Sequence, residues 1–165
     1  MKIFIGCSSK EDIPNKYFND CNDLIEKLFK LENDLVFGAY NKGLMASCYG
    51  MAKKYNRRVI GITPKIFVSD LKELDCDLEF VTDTISRRTD GLIEEADILL
   101  FLPGGIGTIY ELFTVIESKR SGEFDKPIII YNSNNFFDKL LDYSFLMANF
   151  GALIKIYPLW LITKT

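Results

Sequence analysis

The fold is indicated most directly by one stretch of the chain, Asp97-Ile98-Leu99-Leu100-Phe101-Leu102-Pro103-Gly104-Gly105-Ile106-Gly107-Thr108-Ile109-Tyr110-Glu111. Its apolar part is too short to span a membrane and is typical of a buried parallel strand. A glycine-rich turn follows and leads into a helical pattern. Bare backbone N–H groups at such a helix N-terminus stabilise an anion. Because Thr108 adds a hydroxyl and Glu111 a carboxylate, the stretch predicts a phosphate site beside an acid.

The composition indicates one domain with a small-molecule ligand. The chain has 165 residues, 48% of them hydrophobic, which suits a single well-buried domain over residues 1–165. Its formal net charge is −3, so neither nucleic acid nor an acidic membrane is favoured as a partner. The apolar run at the N-terminus is too short for a signal peptide, and we therefore expect a cytoplasmic protein.

The chain contains four cysteines and no histidine. Because Cys7, Cys21, Cys48 and Cys76 form no CxxC pair, we expect reduced thiols and no metal site. The lack of histidine excludes Ser-His-Asp and Cys-His catalysis. Acid–base chemistry therefore falls to Asp, Glu, Lys, Tyr or water.

Strand-like and helix-like segments alternate along the chain. Strands are predicted over residues 2–5, 35–37, 58–62, 78–81, 98–101 and 127–131. Helices are predicted over residues 15–31, 43–55, 88–96, 106–119 and 135–147. This βαβ order predicts an α/β fold, a single doubly wound, Rossmann-like parallel sheet with helices on both faces. The apolar segment 154–165, which includes Trp160, is either an extra edge strand or a surface that packs on a partner.

Three loops follow predicted strands and carry small or polar residues: Gly6-Cys7-Ser8-Ser9, residues 38–43 and residues 103–108. Ligands of doubly wound sheets bind beyond the carboxyl ends of the strands, so these loops should share one rim. A glycine such as Gly38 or Gly43, taken alone, is better explained by a tight turn than by a function. Neither GxGxxG nor a Walker A sequence is present, which disfavours NAD and nucleoside triphosphates.

The chain resembles the Lonely guy family of cytokinin-activating phosphoribohydrolases, many of which are labelled "possible lysine decarboxylase". The family motif PGGxGTxxE stands here as Pro103-Gly104-Gly105-Ile106-Gly107-Thr108-Ile109-Tyr110-Glu111. Weaker similarities are Gly6-Cys7-Ser8-Ser9, Val36-Phe37-Gly38 with Gly43-Leu44-Met45, and Val59-Ile60-Gly61-Ile62-Thr63-Pro64. No lysine stands in a recognisable pyridoxal-phosphate context, so decarboxylase chemistry finds no support and no cofactor is expected.

The resemblance implies hydrolysis of a nucleoside 5′-monophosphate, AMP or an N6-modified AMP. It assigns catalysis to Glu111 and Arg88, with Arg88 keeping Glu111 ionised and in place. The implied phosphate- and substrate-binding residues are Gly104, Gly105, Gly107, Thr108, Ser8, Gly43 and Met45. The neighbours of Arg88 depart from the family pattern, since Ile85, Ser86, Arg87 and Thr89 replace the usual residues. The preferred base therefore stays open.

Each of these roles has a structural alternative. Glu111 alone is equally explained as an acid in the first turn of a helix. Arg88 alone could pair with Glu94 or Glu95. Tyr40 or Phe113 could stack on a base, although either is more simply a core residue.

Two other functions remain open at this stage. Molybdenum-cofactor carrier proteins share this fold and its anion loop, and they bind a phosphorylated pterin without turnover. A related enzyme could instead act on pyrimidine nucleotides. Family members form at least homodimers, which implies a dimer or higher homo-oligomer here, with helices 43–55 and 106–119 as interface or core.

Overall fold

Seven parallel strands form one sheet in the computed structural model, which describes residues 1–142 and 154–157. The strands are β1 (Lys2–Gly6), β2 (Asp34–Phe37), β3 (Val59–Pro64), β4 (Leu78–Thr82), β5 (Ile98–Phe101), β6 (Ile128–Tyr131) and β7 (Ile154–Tyr157). Their order across the sheet is β4-β3-β2-β1-β5-β6-β7. The predicted doubly wound α/β fold is thereby confirmed.

Six α-helices accompany the sheet in the described part of the chain. They are α1 (Asn15–Lys30), α2 (Gly43–Lys54), α3 (Val68–Leu71), α4 (Ile85–Glu95), α5 (Ile106–Arg120) and α6 (Asp138–Leu141). Helices α1, α2 and α3 pack on one face of the sheet, and α4 and α5 pack on the other. None of these helices is long and apolar enough to cross a membrane.

The strand side chains alternate between two hydrophobic cores. In β1, Ile3 and Ile5 join the core under α1 and α2, whereas Phe4 joins the core under α4 and α5. Phe4 also packs edge-on against Phe101 of β5, with ring centroids 5.6 Å apart. Burial on both faces explains why the central strands β1 and β5 consist almost entirely of apolar residues.

Strand β1 lies where the sheet changes direction. It pairs with β2 on one side and with β5 on the other, and the helices that follow β1 and β5 lie on opposite faces. This arrangement opens a crevice between the carboxyl ends of β1 and β5, the usual binding position in such sheets. The loops after these two strands therefore lie at the expected binding position.

Two helical segments differ from the sequence-based prediction. Helix α4 begins at Ile85 rather than at residue 88, because the Thr84 side chain accepts a hydrogen bond from the backbone N–H of Arg87 and caps the helix. A 3₁₀ turn (Lys65–Phe67) and α3 follow β3, where no helix was predicted. A four-residue helix offers too few turns for a periodic pattern.

Within its described part, the helix predicted over residues 135–147 is confirmed only over Asp138–Leu141. A 3₁₀ turn (Ser133–Asn135) comes first, with Asn134 and Asn135 at φ of 46° and 60°, followed by the short α6. Asparagine tolerates this left-handed conformation, which interrupts a helix. Residues 143–147 lie outside the described residues. In segment 154–165, Ile154–Tyr157 is an edge strand parallel to β6, while residues 158–165, including Trp160, lie outside the described residues.

Candidate active site

The loops after β1, β2 and β5 meet at one rim, as their sequence positions predict. The backbone N–H of Ser8 donates to the carbonyl of Pro103 at 3.0 Å, which joins the first loop to the third. The backbone N–H of Met45, in the first turn of α2, donates to the carbonyl of Ser8 at 3.3 Å. Ser8 is therefore the point at which all three segments are connected.

Gly43 is required by the packing of this rim. Its φ is +59°, and a Cβ there would lie 2.5 Å from the carbonyl oxygen of Lys10 and 2.8 Å from that of Ser8. The Ser8 hydroxyl is buried and accepts a hydrogen bond from the backbone N–H of Lys10 at 3.0 Å. In the structure, Gly43 and Ser8 thus hold the first loop against α2, and the Ser8 hydroxyl keeps its own proton available for donation.

The N-terminus of α5 presents free backbone donors. Gly105 precedes the helix, and the first intrahelical bond runs from the N–H of Ile109 to the carbonyl of Gly105. The N–H groups of Ile106, Gly107 and Thr108 therefore have no intrahelical acceptor, and no side chain within residues 1–142 caps them. Unpaired N–H groups at the positive end of a helix are suited to bind an anion.

The glycines of this turn fall into two kinds. A Cβ at Gly104 would collide with the Thr108 side chain, which is 4% exposed, so Gly104 serves the packing of the turn itself. At Gly105 and Gly107 a Cβ would meet nothing within 4 Å, and neither residue has a positive φ. Internal packing thus does not explain these two glycines, whereas a ligand approaching the backbone would.

Glu111 lies in the second turn of α5 and points inward. It is 2% exposed, and its Oε1 accepts a hydrogen bond from Nη2 of Arg88 at 2.6 Å. Arg88 lies in α4. The ion pair therefore connects the helix that precedes β5 in the chain with the helix that follows it, on the same face of the sheet. A capping acid would lie in the first turn facing the free N–H groups. The alternative that Arg88 pairs with Glu94 or Glu95 also differs from the structure, because Arg88 pairs with Glu111 while Glu95 pairs with Lys2.

Burial dominates the ionisation of Glu111. Loss of water raises the pKa of its carboxyl to about 7, and the nearby Arg88 guanidinium acts in the opposite direction without cancelling the effect. The expectation that Arg88 keeps Glu111 ionised thus needs correction. Arg88 favours the ionised form, yet the carboxyl still changes its protonation state near neutral pH.

A cavity of about 270 Å³ opens beside Arg88, toward the carboxyl ends of β2 and β3. It is lined by Ser9, Gly38, Tyr40, Met45, Phe67, Asp70 and Arg88. The Nε of Arg88 is buried and finds no acceptor among the described residues. Of the two aromatic residues considered for a base, Tyr40 lines the cavity, whereas Phe113 packs against the core under α4 and α5.

Two cavity residues were missed in the sequence, Phe67 and Asp70. Both belong to the short helical segment after β3, which carries no glycine-rich motif. The available signal was their position, because they follow the carboxyl end of a predicted strand.

The cysteine and acidic side chains form no cluster of three or more potential metal ligands among residues 1–142.

Known proteins share both the sequence pattern and the fold. The family model described as "Possible lysine decarboxylase" matches residues 43–156. The Arabidopsis thaliana protein named "Probable cytokinin riboside 5'-monophosphate phosphoribohydrolase LOG6" is 32% identical over 84% of this chain and 70% of its own length. "Cytokinin riboside 5'-monophosphate phosphoribohydrolase LOG3" of the same plant is 30% identical over 86% of this chain, which spans 66% of that relative.

Solved structures extend the comparison of the fold. The molybdenum cofactor binding protein of Rippkaea orientalis superposes with a TM-score of 0.71 at 22% identity, covering 94% of this chain and 87% of that one. The molybdenum cofactor carrier protein of Chlamydomonas reinhardtii gives a TM-score of 0.69 at 19% identity, with 94% and 88% covered. At such identities these structures show a common fold.

Proposed function

This chain belongs to the family described as possible lysine decarboxylases, and from that premise we propose that it is a nucleoside 5′-monophosphate phosphoribohydrolase. The reaction hydrolyses the N-glycosidic bond of AMP or an N6-modified AMP, giving the free base and ribose 5-phosphate. Two sequence relatives of this family carry that activity in their names. The single observation that supports it most is the buried Glu111–Arg88 pair, in which Glu111 lies in the second turn of the helix that begins at an uncapped glycine turn.

The phosphate binds at the N-terminus of α5. The N–H groups of Gly105, Ile106, Gly107 and Thr108 surround it, together with the Thr108 hydroxyl and the hydroxyl of Ser8. Each favourable contact of a charge with a helix end contributes about 0.3–2 kcal/mol, so this site anchors the substrate rather than driving the reaction. Gly104, Gly43 and Met45 shape the surrounding loops.

Glu111 provides the chemistry at the sugar. As the base departs, positive charge develops at the anomeric carbon, as in glycoside hydrolysis generally. The ionised carboxylate stabilises that charge, and it accepts a proton from the attacking water as the new C–O bond forms and the C1′–N bond breaks. The departing base takes up a proton from solvent water, and Glu111 afterwards returns its own proton to solvent. A carboxyl with a pKa of about 7 is well matched to this task near neutral pH, where general-base assistance contributes about 10²–10⁴-fold.

Arg88 orients Glu111 and favours its ionised form. The 2.6 Å hydrogen bond holds one carboxylate oxygen, which leaves the other free for water or the ribose hydroxyls. Because the guanidinium also lines the cavity, Arg88 can contact the substrate as well as Glu111. Both residues are therefore assigned to catalysis.

The proposal is tested with Glu111→Gln, which keeps the size of the side chain and removes its charge. We expect folding to be retained and adenine release from AMP to fall by at least about tenfold, the lower end for loss of a general base. Glu117→Gln is the matched control, because Glu117 is on the same helix and also pairs with an arginine, but is exposed. Chromatography of free adenine is the measurement, and wild-type release by Glu111→Gln would refute the assignment.

The two alternatives lead to different products in the same assay. A carrier of a phosphorylated cofactor retains its ligand and releases no base, and a pyrimidine nucleotide N-glycosidase releases cytosine or uracil in preference to adenine. The ion pair of Glu111 with Arg88 favours a hydrolase, since binding alone does not need a buried carboxylate near an anion site. A screen of base release across the common nucleoside monophosphates separates the three.

We further propose that residues 1–165 form one nucleotide-monophosphate-binding domain that acts in the cytoplasm as a homodimer or higher homo-oligomer. Within the family, the activation of cytokinins is the role that fits such an enzyme. Sedimentation velocity measures the oligomeric state, and comparing AMP with N6-isopentenyl AMP as substrates measures the preference for a cytokinin precursor. No cofactor or metal is included in the proposed reaction.

A further inference from the structure

The cavity beside Arg88 lies toward the carboxyl ends of β2 and β3, and its lining residues do not include those of the phosphate turn. Arg88 contacts Glu111 through Nη2 and lines the cavity at the same time. A nucleotide with its phosphate on α5 and its anomeric carbon at Glu111 therefore extends its base past Arg88 into this space. The volume of about 270 Å³ lies just under the roughly 300 Å³ at which sites for whole small-molecule ligands begin, and so suits one part of a ligand.

The apolar side chains that line the cavity are suited to bind any nucleobase and do not discriminate between them. Tyr40, Met45 and Phe67 lie around it, and Phe67 is 42% exposed. Aromatic side chains stack on every nucleobase, because each base has a π-face. Discrimination between bases must therefore come from the polar residues of the cavity.

Asp70 is the acidic side chain among the residues that line the cavity, whose other polar side chains are those of Ser9, Tyr40 and Arg88. It lies in α3 and is half-buried, and its carboxylate makes no hydrogen bond or ion pair with any of the residues that the structure describes. The other acid near the site, Glu111, is already bound to Arg88. A carboxylate only accepts hydrogen bonds, so it attracts N–H groups of a base and repels a carbonyl oxygen.

We propose that Asp70 determines base specificity by accepting a hydrogen bond from an exocyclic amino group, so that 6-aminopurine nucleotides are preferred to 6-oxopurine nucleotides. This inference rests on the proposed function for the placement of the base. According to this inference, a residue of α3, a helix that carries no sequence motif, selects the substrate. A hydrogen bond to a charged group corresponds to about a 10- to 100-fold preference.

Four nucleotides test the contact. AMP and N6-methyl-AMP both keep an N–H at the 6-position, N6,N6-dimethyl-AMP lacks it, and IMP presents an oxygen instead. For the wild-type protein we expect kcat/KM for the first two to exceed that for IMP and the dimethyl compound by at least about tenfold. Asp70→Ala should narrow the difference between AMP and IMP to within about threefold, mainly by lowering the value for AMP.

The control is Glu73→Ala, which removes a nearby exposed acid that does not line the cavity. It should keep the wild-type preference. An unchanged AMP-to-IMP ratio in Asp70→Ala, or an equal loss for all four nucleotides, would overturn the role of Asp70.

Equilibrium dialysis with AMP and IMP separates this inference from the proposed function. If the wild-type protein releases no base from any nucleotide, the proposed function fails. The role of Asp70 is then decided by binding alone. Preferential binding of AMP that is lost in Asp70→Ala supports it, and equal binding of AMP and IMP by the wild-type protein overturns it.

Discussion

Glu111 links the stability of the protein to pH through the burial of its carboxyl group. Its pKa in the folded protein is about 7, against an ordinary value of 4.5. Between these two values the folded state keeps a proton that the unfolded state has released. Stability is therefore greatest below pH 4.5 as far as this group is concerned, and it is lost as pH rises to about 7.

Glu111→Gln should remove this dependence, because an amide does not titrate. We expect the free energy of unfolding of the wild type, relative to that of the variant, to decrease with pH from about 4.5 to 7 and to be constant above. The slope can reach at most about 1.4 kcal/mol per pH unit for one proton. Urea unfolding at several pH values measures it, and parallel curves for the two proteins would contradict the buried, titrating carboxyl.

Arg88 lowers the pKa of the Glu111 carboxyl, which burial raises. Its guanidinium lowers the pKa of Glu111, so Arg88→Ala should raise that pKa further above 7. If the ionised form is the active one, the pH at which adenine release is half-maximal should move upward, and the rate at neutral pH should fall by about tenfold or more.

The pH–rate profile distinguishes this role from a structural one. Arg88→Ala should keep a melting temperature near that of the wild type, and the neighbouring exposed Arg87→Ala should leave the profile unchanged. A much lower melting temperature together with an unchanged pH–rate profile would assign Arg88 to structure instead.

At the scale of single elements, α5 combines a helix start with a binding surface. Gly107 lies in its first turn where a Cβ meets nothing. Gly107→Ala should therefore leave the free energy of unfolding unchanged or raise it by up to about 1 kcal/mol, since alanine is the better helix former. The added methyl group should nevertheless obstruct the phosphate and weaken ribose 5-phosphate binding by about tenfold or more.

Gly50→Ala provides the matched control, because Gly50 is in α2 and its Cβ would also meet nothing within 4 Å. It should show the same small effect on unfolding and no effect on binding. Calorimetric titration with ribose 5-phosphate compares the two. Equal binding by both variants would mean that no ligand occupies the space in front of Gly107.

The elements differ in how well sequence could predict them. Strand β5 is a continuous apolar run and helix α5 has 15 residues, so the existence of both and of the glycine turn between them follows from the chain alone. The start of α4 was misplaced because Thr84 caps a turn that has little apolar periodicity. The pairing of Arg88 with Glu111 could not be predicted, because it depends on how α4 and α5 face each other. The position of Asp70 at the cavity could not be predicted either, because the helix that carries it is too short to be recognised in the sequence.

At the scale of the whole molecule, the core beneath α4 and α5 depends on aromatic packing across the central strands. Phe101 is fully buried and packs edge-on against Phe4. Phe101→Ala should lower the free energy of unfolding by about 3–5 kcal/mol, because it leaves a cavity that the tight sheet cannot refill. Leu31→Ala, at a residue 74% exposed, should change it by less than about 0.5 kcal/mol. Urea unfolding measures both, and similar effects would contradict the assigned core.

The central position of β1 has a kinetic consequence. Ile3 pairs with Ile98, 95 residues further along the chain, and every strand contact in the sheet is parallel. Until β5 has been synthesised, β1 has one edge without a neighbour. Distant pairings are slow to form, and an apolar strand with an open edge can associate with another chain. Nascent molecules of this protein should therefore depend on a chaperone until the second half of the sheet has emerged from the ribosome.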